Sequence, residues 1–172
     1  RPDATTISAA AQAHPGAVWF VGNEPDRVYC QDDLEPHVYA RAYHDLYALI
    51  KAADPTALVA AGQIVQPTLL RLQYLDRVLD AYRSRYGAEM PVDVWAIHAY
   101  ALREDAYGWG AGIPPGIDAT RGLEIDESDV IDVQLFRGFL FDFRRWMADN
   151  GYRECPLIVS EFGILMPEDL AG

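Results

Sequence analysis

Val18-Trp19-Phe20-Val21-Gly22 followed by Asn23-Glu24-Pro25-Asp26 is the stretch whose reading decides the fold. A β-branched and aromatic run reads as a buried strand, and the polar residues after it fall in the loop at its C-terminal end. It is entered through His14-Pro15-Gly16, which punctuates a helix beginning near Ile7. The same arrangement recurs three times. Residues 57–62 (ALVAAG) follow Asp54-Pro55, residues 92–97 (VDVWAI) follow Met90-Pro91, and residues 157–160 (LIVS) follow Cys155-Pro156. Each run begins just after a proline or glycine, the residues that stop a preceding helix.

Between the runs, apolar residues recur near the helical period. From Glu35 the residues Val38, Ala42, Leu46, Leu49 and Ile50 share a face, and Leu69, Leu72, Leu75, Val78, Leu79 and Tyr82 share another before Gly87. Val130, Val133, Phe136, Phe139, Leu140, Phe143 and Trp146 trace a third helix, ended by Asn150-Gly151. Strands this apolar, alternating with helices, predict an α/β domain spanning residues 1–172 whose parallel sheet is covered by helices. Strand starts near 18, 57, 92 and 157 lie 39, 35 and 65 residues apart. The first two gaps suit one βα unit each. The last holds an extra glycine- and proline-rich loop from about Leu102 to Ser128, of the length that is usually functional or disordered. Four units cannot close an eight-stranded barrel, which needs roughly 250 residues. The chain is therefore either an open four-stranded sheet or a portion of a larger (β/α)8 barrel.

The strand ends favour the barrel. Asn23-Glu24 follows the first run, Gln63 the second, His98-Ala99-Tyr100 the third and Glu161-Phe162-Gly163 the fourth, while the strand bodies are almost wholly apolar. An active site in such a barrel lies at the C-terminal ends of its strands. Side-chain alternation predicts that Glu161 points inward together with Val159 and Leu157, and His98 together with Ala96 and Val94. Two glutamates facing each other across a rim of low dielectric would divide labour, one holding its proton near neutral pH while the other ionises.

Residues 19–25 (WFVGNEP) followed by residues 157–163 (LIVSEFG) resemble the large clan of retaining (β/α)8 glycoside hydrolases, in which Asn-Glu ends strand four and a second glutamate ends strand seven. The resemblance covers nearly the whole chain, which would supply strands four to seven. It implies Glu24 as acid/base, Glu161 as nucleophile and Asn23 as a partner of the sugar 2-hydroxyl. Residues 98–100 (HAY) look like the end of strand six, whose Tyr or His supports the nucleophile. The segments that usually contribute an Arg and a Trp from the remaining strands have no counterpart here. The reaction implied is hydrolysis of an O-glycosidic bond with retention, with no metal and no organic cofactor.

Other residues divide between site and scaffold. Sugars stack on aromatic rings, so Trp109 and Tyr107 in the long loop are candidate platforms, as is Tyr29; Gln63 would contact substrate or cap a loop. Trp95 and Trp146 belong to the core, and His14, His37 and His44 to solvated or capping positions. The stretch Glu124 to Asp132 reads as a solvated loop and a helix N-terminus. Cys30 and Cys155, at opposite ends of a parallel sheet, are expected as free thiols. A formal charge of −12 would repel nucleic acid and anionic membrane and fits a neutral carbohydrate substrate. No apolar run is long enough to span a membrane and no leader pattern opens the chain, which leaves localisation open. Open sheet edges would permit self-association. Two rival readings use the same residues: a metal-dependent isomerase or epimerase holding its ion with Glu24, His98 and Glu161, and a carbohydrate-binding barrel without turnover.

Overall fold

Proline and glycine set the element boundaries in the computed structural model, which describes residues 3–126 and 128–165. Helix α1 (Ala4–Ala13) starts earlier than its apolar residues suggest, because Asp3 caps it by accepting the Thr6 N–H at 2.8 Å. Strand β1 (Val18–Phe20) follows Gly16. Helix α2 (Pro36–Ala53) opens on a proline and stops at Asp54-Pro55, before β2 (Leu58–Ile64). Helix α3 (Leu69–Tyr86) closes on Gly87 in the left-handed region, φ 66°, and leads to β3 (Val94–His98). Helix α4 (Val133–Asp149) begins after a 3-10 turn at Asp129–Ile131 that takes up Val130, and β4 (Leu157–Glu161) follows. Asp132 caps α4, accepting the Gln134 N–H at 2.7 Å, which places part of the acidic stretch at a helix N-terminus as expected.

The four strands are parallel and lie in chain order, β1-β2-β3-β4, curled with helices alternating between them. The fold is α/β. On the helix-covered face Trp19, Val59, Ala61, Trp95, Ile97, Leu157 and Val159 join the main core. There Trp95, fully buried, meets Phe143, Trp146 and Tyr152 edge-on, with ring centroids 5.0–5.9 Å apart. The opposite face is thin: Ala60, Val94 and Ala96 with Ile158 form a small cluster, and Val18, Phe20 and Leu58 are exposed beside it. No described helix is long and apolar enough to cross a membrane. Cys30 and Cys155 are free.

Two expectations about faces are corrected. The buried side of α2 is set by Tyr39, Tyr43 and Ile50, rotated from the stripe through Val38 and Ala42. Tyrosines can occupy it because their hydroxyls find sheet partners: Tyr39 Oη donates to Val21 O (3.1 Å) and accepts the Gly62 N–H (3.0 Å), and Tyr43 Oη donates to Val59 O. On β4, Leu157 and Val159 pack toward the helices and Ile158 toward the concave face, the reverse of the expected alternation. Glu161 nevertheless faces inward because the register breaks: Ile97 pairs with Val159 but His98 pairs with Glu161, so one residue bulges out of the ladder.

Candidate active site

A second irregularity, on β2, explains the first half of the site. Gly62 pairs with Ala96 and Ile64 with Ile97, leaving Gln63 as the extra residue at φ 52°. Gln63 is thus inside β2 rather than in a loop beyond it, and it is buried. Its carbonyl accepts the Glu24 N–H at 3.0 Å, and its amide reaches Ser160 Oγ at 3.4 Å. A side chain at Gly62 would sit 2.5 Å from Ala96 O, so only glycine permits this close approach of β2 to β3 at φ 100°.

Glu24 occupies a tight turn in the left-handed region, φ 46°, uncommon for a residue with a side chain and frequent at sites where structure is held against strain. Its carbonyl accepts the Arg27 N–H at 3.0 Å, closing the turn. Asn23, just before it, is fixed by its N–H to Asp32 Oδ2 (2.7 Å) and by its amide, which donates to Gln31 Oε1 (3.0 Å).

The three chemistry-bearing side chains meet. His98, fully buried, places Nδ1 2.9 Å from Glu24 Oε1 and 3.5 Å from Glu161 Oε2. One ligand atom from each of Glu24, His98 and Glu161 lies within 4.8 Å of the other two. Tyr100 Oη donates to Glu161 Oε2 at 3.2 Å. Burial, and then the Glu161 carboxylate, raise the Tyr100 hydroxyl above its ordinary range, so it stays a donor. His98 Nε2 is buried with no partner among the described residues.

The electrostatics differ from expectation at Glu24. It is 2% exposed, and burial pushes its carboxyl up. Hydrogen bonds to His98 and Arg27, with the Arg27 charge, outweigh that and hold it below the ordinary glutamate range. Arg27 Nη1 sits 3.0 Å from Glu24 Oε2. The group read as proton carrier is therefore held toward its ionised form in the unliganded site, because the tight turn at Glu24 brings the Arg27 guanidinium back onto its carboxylate.

The carboxyl that burial does raise is Asp26, pushed up to about 6 although Arg71 opposes the shift. Asp26, Arg71 and Glu104 form a buried chain of charges that sequence reading missed. Its one signal was composition: an arginine among the apolar residues at the start of α3, and an acid in each of two flanking loops.

The long loop is tied down by this chain. Glu104 accepts from Thr68 Oγ1 (2.5 Å) and from the Leu123 N–H (2.8 Å), and the only β-type contact in the loop is the bridge Asp105–Arg121 among the described residues. Tyr107 and Tyr29 are almost fully exposed and Trp109 is about half-exposed at 47%. No hydrogen bond or ring contact joins Trp109 to Glu24, His98 or Glu161 among the described residues, so its assignment as a platform stands on sequence alone. Comparison with protein-family models finds no match, and no curated protein matches the chain.

Proposed function

We propose that the chain is the strand-four to strand-seven portion of a (β/α)8 barrel and that the complete barrel cleaves O-glycosidic bonds of a neutral carbohydrate with retention of configuration. The observation that carries the reading is the pair of glutamates at two strand ends whose carboxylate oxygens approach within 4.8 Å across a histidine. Retaining glycosidases hold their carboxyls about 5–5.5 Å apart, whereas a separation of about 6.5–9.5 Å is needed to admit the water of an inverting reaction. The exposed Val18, Phe20 and Leu58 on the face away from the helices fit a surface that further barrel strands would cover.

In the first displacement a Glu161 oxygen attacks the anomeric carbon while the exocyclic C–O bond breaks, and the leaving oxygen takes a proton from Glu24. In the second, Glu24 removes a proton from water, whose oxygen replaces Glu161 at the same carbon. Two inversions give net retention. Tyr100, donating to Glu161, orients the attacking oxygen, and the Asn23 amide, which donates to Gln31, would turn to meet the sugar 2-hydroxyl. For the first step Glu24 must be protonated, yet Arg27 and His98 favour its ionised form. The fraction carrying the proton grows as pH falls, so the rate constant kcat/KM is expected to peak on the acid side of neutrality.

The test is turnover of a panel of 4-nitrophenyl glycosides, with the anomer first released followed by proton NMR. Retention, lost together with activity in Glu161→Gln, is the expected result. Inversion, or wild-type rates for Glu161→Gln, would refute the reading. A second reading is favoured by the same cluster: Glu24, His98 and Glu161 are donors that suit Mn2+ or Zn2+, as in a sugar isomerase. The Arg27 guanidinium bonded to Glu24 opposes a second cation there. Activity that survives EDTA supports hydrolysis by the carboxylates alone.

A further inference from the structure

Arg71 has no exposed surface, and neither does Asp26. Its Nη1 donates to both Asp26 O (3.0 Å) and Asp26 Oδ2 (2.9 Å), and its Nη2 to Ala111 O (2.8 Å) and Gly112 O (3.1 Å). Its Nε lies 3.0 Å from Glu104 Oε1, an ion pair not aligned as a hydrogen bond. Five oxygens on two separate loops, four of them accepting hydrogen bonds, therefore converge on one guanidinium, whose planar fork suits that task where an ammonium would not. Asp26 in turn accepts the Val65 N–H through both oxygens (3.2 and 3.3 Å), just beyond the β2 bulge whose carbonyl holds Glu24.

The loop on the other side is equally dependent. Ala111 closes onto Arg103 O (2.9 Å), and Glu104 and Leu123 pair through their backbones (2.9 Å). This folded loop is fastened to the sheet end and to α3 by Arg71, by Gln66, whose amide donates to Leu102 O and whose carbonyl accepts the Leu102 N–H, both at 2.8 Å, by Thr68 Oγ1 donating to Glu104, and by Arg77 donating to Gly116 O. Breaking one partner of a buried charge chain leaves the other charges uncompensated, which weakens the hold on both loops at once.

We propose that Arg71 is a positioning residue that locks the strained Glu24 turn and the long Arg103–Leu123 loop to one another. It rests on the reading of Glu24 as the acid/base. It adds to that reading a residue 47 positions downstream, on a helix, that touches neither substrate nor Glu24. A misplacement of the acid/base by about 1 Å costs roughly a hundredfold in rate. The guanidinium acts on that distance.

The experiment compares Arg71→Met and Arg71→Lys with Val78→Ala, a core substitution on the same helix away from the site, which calibrates for lost stability. Steady-state kcat and KM on a small aryl glycoside are measured beside thermal midpoints, together with amide hydrogen exchange. For Arg71→Met, kcat is expected to fall about a hundredfold with KM changed less than about threefold, and for Arg71→Lys by about tenfold. Val78→Ala should keep kcat within about twofold. Exchange should quicken at Glu24, Arg27, Ala111 and Gly122 together in the Arg71 variants. An Arg71→Met enzyme with the kcat of Val78→Ala overturns the proposal, as does exchange that quickens in one loop only. Should Arg71→Met fail to fold, Arg71→Lys carries the same test. If the unsubstituted protein hydrolyses no glycoside, the glycosidase reading fails by itself. The exchange pattern then decides whether Arg71 joins the two loops.

Discussion

Glu24 and Glu161 meet at His98 but are held by different means. Glu24 sits in a left-handed turn beyond the end of β1, buried, hydrogen-bonded through its own backbone to Gln63 and Arg27 and paired through its carboxylate with Arg27 and His98. Glu161 is the last residue of β4, its side chain 44% exposed, fixed by one register break and one tyrosine hydroxyl. The first carboxylate is set by its surroundings and the second is exposed and less constrained. That is the division a double displacement needs, since the nucleophile must move to carbon while the proton carrier must stay in line with the leaving oxygen.

Removing Glu161, the proposed nucleophile, should break this pairing most completely. Glu161→Gln is expected to lower kcat at least about a thousandfold while sugar binding persists, checked by steady-state kinetics beside calorimetric titration of a product sugar. Glu24→Ala should cost about 10²–10⁴ on substrates with poor leaving groups and far less on activated aryl glycosides. Equal losses on both classes would remove Glu24 from the proton-transfer role. Tyr100→Phe deletes one hydrogen bond to a charged acceptor, worth about 1.5–3 kcal/mol, so a kcat loss of roughly ten- to a hundredfold is expected. Its kinetics read how much Glu161 relies on that single hydroxyl.

Arg27→Met sharpens the comparison without destroying it. With the Arg27 hydrogen bond and charge gone, burial is less opposed, the Glu24 carboxyl rises, and the alkaline limb of the kcat/KM profile should move to higher pH. An unmoved limb would assign the depression to His98 alone. The smallest effect concerns Asp26. Its folded carboxyl titrates near 6 against an ordinary 3.8, so between those values the folded state holds more protons and stability falls as pH rises. Asp26→Asn should flatten that part of the stability curve, measured by urea unfolding across pH 4 to 6.

Much of the fold was legible because its strands are apolar runs bounded by proline or glycine, and such runs leave few alternatives to a helix-covered parallel sheet. Glu24, His98 and Glu161 were legible as polar residues at strand ends, which is where the structure gathers them. What could not be read is what depends on contacts distant in sequence. The tyrosines of α2 look amphipathic until Val21, Gly62 and Val59 supply their hydrogen bonds. Arg71 reads as an ordinary surface residue near a helix start until two loops close over it. The inward turn of Glu161 contradicts the period-two pattern of its own strand, because a bulge is a property of the pair of strands and not of either one.

The row Gly62–Ala96–Ile158 is the last on which β2, β3 and β4 are all in step. Beyond it β2 and then β4 each gain a residue on β3, so the rim runs one residue out of phase with the body of the sheet. In a strand, a phase error of one reverses every side chain beyond it. Any chimera joining this rim to a foreign sheet has its natural splice point at that row. A cut below it carries the two insertions along with the residues they aim, and a cut above it leaves the borrowed carboxylate facing the helices.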